Sequence, residues 1–226
     1  MTQLKQSPSQ SASSNVDDIV SAIEEDIVLG RLNPKERLVE EDLIERFYCK
    51  RHVVRQALFQ LDAIGLVERI KNRGAFVKAY TPKEVEDLYA MRELLETAGA
   101  QSIPLPAPPS MLEELTTIQN QHRDAVEAHD LRRVFRLNIA FHRTLFSATG
   151  NSYLIECIND FAQKAHAIRF MAITNAESLE QACSEHFAMI DAIKRQDREL
   201  LCQLCREHLI PSKERYLSIA KLRHKQ

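Results

Sequence analysis

The sequence predicts a mainly α-helical chain in two parts: short helices with one small β-hairpin over residues 16–80, and an all-α bundle of about six helices over 81–226. Three observations carry this. Apolar residues recur at three- and four-residue spacing through most of the chain. Strand-like alternation is confined to "LVERIKNRGAFVKAY", Leu66 to Tyr80, around a turn that contains Gly74. Hydrophobic residues make up 44% of the 226, enough to fill a core in either part.

The opening "MTQLKQSPSQSASSN" is rich in Ser and Gln and almost free of apolar residues, so residues 1–15 are expected to be a disordered tail. It lacks the apolar segment of a secretory leader, and no apolar run approaches the roughly eighteen residues needed to span a bilayer. A cytoplasmic protein with no membrane partner is expected. Five cysteines, an odd number without framework spacing, suit a reducing compartment. Cys202 and Cys205 form a CxxC, but "RELLCQLCREHL" reads as the middle of a helix rather than as a redox or zinc motif.

Structure is expected from Val16. Ile19, Val20, Ile23 and Ile27 mark a helix that Gly30 ends, and Pro34 sits in a connector. Leu43, Ile44 and Phe47 form the inner face of a second helix from about Val39 to Phe47. A third helix begins in "CKRHVVRQAL" (Cys49 to Leu58) and runs to Ile64, stopped by Gly65. On it Arg51, His52, Arg55 and Gln56 share one face, while Val53, Val54, Ala57, Leu58 and Leu61 share the other. The hairpin follows.

Helix, helix, tight turn, helix and hairpin is the order of a winged helix-turn-helix, whose second turn-linked helix enters the DNA major groove. Charge supports it. The whole chain carries only −2, which points to no polyanionic partner. Locally, residues 16–45 hold three basic and ten acidic residues, whereas residues 46–78 hold eight basic and two acidic. The basic excess falls on the proposed recognition helix and wing, where phosphate neutralisation would release counterions.

After Tyr80 the pattern is helical throughout. Thr81-Pro82 supplies a cap and a first-turn proline. "PLPAPPS" interrupts, a second helix runs from about Met111 to Glu127, and Asp130 caps a third that ends at Gly150. A fourth is expected from Ser152 to Ile173, a fifth from Ser178 to Arg195, and a last one capped by Asp197. Pro211 inside that last helix removes the donor to the Glu207 carbonyl and predicts a kink.

No nucleophile motif, phosphate loop or paired-carboxylate arrangement is present, and none of the five glycines lies in GxGxxG or GxxxxGK. Histidine is the residue type with chemical promise. Asn138 and His142 stand four apart beside Leu137, Phe141 and Leu145, and His186 and His208 each border the apolar stripe of a late helix. Buried neutral imidazoles need partners, so these three either hydrogen bond separately or share one metal ion. A three-histidine metal with an open position could also activate water, an enzymatic alternative. His122, His129, His166 and His224 read as surface or satisfied histidines.

The stretch "RQALFQLDAIGLVERIKNRGAFV" resembles the N-terminal domain of GntR-type bacterial transcription regulators, and the helical half resembles the FadR-like subfamily with its FCD-type effector domain. Arg51 and Arg55 match the arginines of "SRxxVRxAL", Gly65-Leu66-Val67 matches "GLV", and Asn72-Arg73-Gly74 matches the wing-tip turn. "NIAFHRTLFSATGN", "EHFAMIDAIKRQD" and "CREHL" resemble the FCD signatures. The resemblance implies a homodimer on a near-palindromic double-stranded DNA operator, switched by a small organic acid, and no enzymatic activity. It implies DNA contacts from Lys50, Arg51, His52, Arg55, Gln56, Arg73 and Gly74. It places Asn138, His142, His186 and His208 at four ligand positions for a divalent metal ion, zinc first and nickel or manganese next. Arg92 matches an arginine near the effector pocket, and Arg169 joins it by lying on the fourth bundle helix. A metal-free regulator with an organic-acid pocket is the nearest rival. Several positions depart from the family pattern. Lys50 stands for the serine cap, Tyr48 for the turn glycine, Lys35 for the glycine after Pro34, and Asn138 for a carboxylate.

Overall fold

The computed structural model describes residues 14–173 and 175–223, with backbone alone for 170–173 and 221–223. His224 lies outside the described residues, as does most of the expected tail. The tail's predicted boundary shifts slightly. Asn15 is the N-cap of the first helix, α1 (Val16–Val28), in a capping box with Asp18, so ordered structure includes it.

In the N-terminal half α1 is followed by β1 (Arg37–Leu38), α2 (Glu40–Phe47), α3 (Arg51–Ala63), β2 (Val67–Ile70) and β3 (Gly74–Val77). Ile19, Ile23 and Ile27 on α1 pack against Val54, Leu58 and Leu61 on α3, as the helical periodicity requires. The expected hairpin is the outer part of a three-stranded antiparallel sheet of order β1-β3-β2. Val67 pairs with Val77 and Ile70 with Gly74, while Arg37 pairs with Phe76. β1 is only two residues long, too short to show alternation. This is a winged helix-turn-helix.

The C-terminal half is all helix: α4 (Pro82–Ser102), α5 (Pro109–Glu127), α6 (Leu131–Ser147), α7 (Ser152–Lys164), α8 (His166–Ile173), α9 (Ala176–Lys194), α10 (Arg198–Glu207) and α11 (Ile210–Arg223). The expected six become eight through two breaks. The fourth helix divides at Ala165 into α7 and α8. The last divides at His208 and Leu209 into α10 and α11, so Pro211 sits in the first turn of a new helix, where its missing N–H costs nothing. The predicted kink is thus a full break. Gly99 lets α4 approach its neighbours closely, since a Cβ there would lie 2.7 Å from Phe146 Cδ1 and 2.9 Å from Ile158 Cδ1.

The two halves share a core. The cluster containing Ile19, Ile23, Leu58 and Leu61 continues into Ala165, Ile168, Leu209 and Tyr216. Val28, at the end of α1, packs with Ala125, Val134, Phe135 and Leu179 of the bundle. Polar contacts seal the junction. Glu25 of α1, buried at 4% exposure, receives Arg132 Nε at 2.7 Å and Arg136 Nε at 2.6 Å. His166 Nδ1 donates to Glu24 Oε1 at 2.8 Å, and Arg136 Nη2 donates to Ser21 Oγ at 2.7 Å. Tyr80 and Tyr216 exchange two hydrogen bonds of 3.1 Å each.

Candidate functional site

Three imidazoles meet inside the bundle. His142 comes from α6, His186 from α9, and His208 from the break between α10 and α11, and one ring nitrogen from each lies within 4.8 Å of the others. Each is aimed by its element. Phe141, the chain neighbour of His142, stacks on the His186 ring at 4.1 Å. His208 Nδ1 donates to Glu185 Oε2 at 2.6 Å. His186 Nδ1 donates to Gln119 Oε1 at 2.8 Å, and Gln119 is itself oriented by its amide nitrogen, which donates to the Cys183 carbonyl at 3.1 Å. With Nδ1–H so used, the Nε2 atoms of His186 and His208 carry lone pairs directed into the cluster.

Burial, and after it the neighbouring His208 imidazole, hold His142 and His186 well below the usual histidine range, so both are neutral near pH 7. His142 Nε2 and His208 Nε2 approach to 3.2 Å, and His142 Nδ1 is buried without a partner among the described residues. Neutral lone-pair donors converging with carboxylate and amide groups behind them suit a metal ion with an open coordination position. The triad could hold a metal.

Asn138 stands beside the triad, but its oxygen is engaged. Asn138 Oδ1 accepts from Arg169 Nη1 at 2.7 Å, while Nδ2 lies 3.4 Å from His186 Nε2. The fourth ligand expected from sequence therefore turns its oxygen to an arginine. Arg169 separates two cavities. One is lined by His122, Asn138, Arg169, Glu185 and His208 and walled by Phe135 and Leu179. The other contains Arg92, Glu96, His142, Arg169 and His166. Burial and then Arg92 depress the Arg169 guanidinium to about 10, which leaves it charged. Arg92 lines the second cavity, is 1% exposed, and is balanced by Glu96 at 2.8 Å, with Nη1 unpartnered among the described residues.

His122 corrects the reading of the sequence. It is 1% exposed and its Nδ1 has no partner among the described residues, so it is neither a surface nor a satisfied histidine. Burial and then His208 lower it to about 4. Its ring lies 5.2 Å from that of His186 on the first cavity's wall. Spacing held a signal: Gln119 and His122 stand three apart on α5 and face the same site. Among the other histidines, His166 is satisfied by Glu24 and His129 is exposed.

On the opposite half, α3 presents Lys50, Arg51, His52, Arg55 and Gln56 to solvent, and Lys50 caps it without a side-chain hydrogen bond. Arg51 and Arg55 are paired with Glu40 at the start of α2. The wing presents Arg73 and Gly74, whose φ of +103° suits glycine. Among the described residues no helix is long and apolar enough to cross a membrane.

Comparison with known proteins agrees with the winged helix-turn-helix and the helical bundle. Residues 15–77 match the family of bacterial regulatory proteins called the gntR family, and residues 87–210 match the FCD domain. The HTH-type transcriptional repressor RspR of Escherichia coli (strain K12) is 24% identical over 191 residues, covering 84% of each chain. The gluconate operon transcriptional repressor of Bacillus subtilis (strain 168) is 25% identical over 182 residues, 78% of this chain and 74% of the relative. A solved GntR transcriptional regulator from Rhodococcus sp. RHA1 superposes with a TM-score of 0.75 at 22% identity, covering 90% of this chain and 97% of that one. E. coli McbR/YncC gives 0.74 at 18%, covering 93% and 99%. With an FCD domain over more than half its length and a winged helix-turn-helix before it, the chain belongs to the GntR family of transcription regulators.

Proposed function

We propose that the protein is a transcriptional repressor that binds a near-palindromic operator as a homodimer and is released by a small organic acid bound beside a metal in the bundle. The observation that carries this is the placement of α1. Its end, Val28, packs on Phe135 and Leu179, which wall the first cavity, and its middle packs on the recognition helix α3. An occupant that shifts that wall or Arg169 acts on α1 through α6 and α8, which grip Glu25 and Glu24. To switch the protein, the acid must favour one arrangement by a few kcal/mol.

His142, His186 and His208 would hold the ion, zinc being the best match to three imidazoles. Bound there, it supplies a Lewis-acidic position for a carboxylate oxygen. Arg169 supplies the fixed positive charge beside it, with N–H groups that an acid can take in place of Asn138 Oδ1. Arg92, neutralised by Glu96, shapes the second cavity. On the DNA face Arg51, Arg55, His52 and Gln56 would meet bases, while Lys50, Arg73 and the backbone at Gly74 would meet phosphates.

The test is elemental analysis of protein purified without chelator or affinity-tag metal, paired with a thermal-shift screen of organic acids. About one zinc per chain is expected, lost in His142→Ala and His208→Ala. Stabilisation by an acid should disappear in Arg169→Ala. A metal-free wild type that an acid still stabilises would replace this reading with the metal-independent one.

A further inference from the structure

The first turn of α2 carries Glu40, Glu41 and Asp42 at the foot of a basic DNA face. Acidic residues suit a helix N-terminus through the helix dipole, and Asp42, which makes no ion pair among the described residues, needs no other account. Glu40 is different. Both its oxygens face Arg55 Nε, at 3.1 and 3.0 Å, and Oε2 also receives Arg51 Nη1 at 3.3 Å. Glu41 receives Arg51 Nη2 at 2.9 Å. These pairs are exposed, and exposed pairs contribute little to folding. Stability does not explain why two acids reach across from α2 to the recognition helix.

Donor geometry does. Arginine has one N–H on Nε and two on each Nη. Glu40 occupies Nε of Arg55, and among the described residues neither Nη group makes an ion pair, which leaves the fork that pairs with guanine O6 and N7. Arg51 has both Nη groups engaged by carboxylates. The two arginines therefore stand in different states. The same groove holds Arg37, Arg69 and Lys71, whose side chains make no ion pair among the described residues and are available to phosphates.

We propose that Glu40 is a specificity-determining positioning residue of the DNA face: it aims Arg55 as a base reader and keeps Arg51 from binding phosphate indiscriminately. A flexible, unpaired arginine takes any phosphate. One held at Nε by a carboxylate meets a base edge in a fixed orientation and adds little net charge to non-specific binding. This rests on the DNA-reading role of α3 given above.

The experiment uses the full chain, a random-sequence duplex pool, and duplexes selected from that pool by the wild-type protein, with affinities read by fluorescence anisotropy across a salt series. For Glu40→Gln, random-pool binding should tighten by about threefold or more and its log–log salt slope should steepen by about one. The ratio of random-pool to selected-duplex Kd should fall by about tenfold. Glu40→Asp, which keeps the charge on a shorter stem, should hold random-pool affinity near wild type while lowering the ratio. Glu41→Gln should tighten random-pool binding and leave the ratio unchanged. Arg55→Ala is the control for the face itself. If it lowers the ratio while Glu40→Gln changes neither ratio nor salt slope, Glu40 has no positioning role. If Arg55→Ala leaves the ratio intact, the DNA-reading assignment falls and takes this proposal with it. Melting curves of each variant, expected to match wild type because the pairs are exposed, exclude unfolding as the cause.

Discussion

Tyr48 adopts φ 48 and ψ 40 and is 74% exposed, so among the described residues little packing offsets the left-handed backbone. Such a conformation costs an L-residue roughly 1–2 kcal/mol, part of which glycine returns through its greater freedom in the unfolded chain. Tyr48→Gly should therefore stabilise the protein by about 0.5–1 kcal/mol, measured as a raised urea midpoint at unchanged slope. Lys35, at φ 70, is the second position where a side chain replaces an expected glycine. Both positions were marked in the sequence only by the family resemblance, whose turn glycines they lack. His122 was missed, because its one signal, the three-residue spacing from Gln119 on α5, takes on meaning only once α5, α6 and α9 close around it. Asn138 was legible as a position but not as an orientation, since only the fold brings Arg169 to its oxygen.

Helices with strong apolar periodicity and caps were readable: the expected starts at Thr81, Asp130 and Asp197 are N-caps whose side chains accept backbone N–H groups. Breaks without a breaker were not. Ala165 has ordinary helical chemistry, yet it divides α7 from α8 and is fully buried in the shared core. The break sends His166 to Glu24 on α1, a contact with a pH signature. Burial first, outweighing Glu24, lowers the folded-state pKa of His166 below its ordinary 6.5; Arg169 and Arg92 push the same way. Burial raises Glu24, but hydrogen bonds from His166 and Gln163 outweigh it and lower it from 4.5. Below about pH 6.5 the unfolded imidazole takes up a proton that the folded one resists, so this contribution to stability is present above 6.5 and is lost on acidification. Glu24 extends the loss below about pH 4.5. Unfolding free energy should fall from about pH 7 to about pH 5, and His166→Gln should flatten part of that slope. An equal slope in the variant would remove His166 as its source.

For the molecule as a whole, the order of elements and the uneven charge of the N-terminal half were enough to anticipate a DNA-binding half followed by a helical bundle. The depth of their junction was not, because Val28 and Glu25 look like any inner face of a short helix. Metal in the triad would stabilise far more than its own pocket, since α6, α9 and α10 all answer to it. Ion held at about a hundred times its Kd contributes about 2.7 kcal/mol. Chelation should thus lower the melting temperature by about 5–10 °C in wild type and leave His142→Ala unmoved, a comparison that differential scanning fluorimetry makes directly.

Because Ile19, Ile23 and Val28 are completed by side chains from beyond Tyr80, a cut at that residue divides one interior rather than separating two. The exchangeable cassette is then narrower than residues 16–80. A chimera that grafts a relative's DNA reader onto this bundle should replace α2 through the wing and keep α1 native, since α1 packs on the bundle as well as on α3.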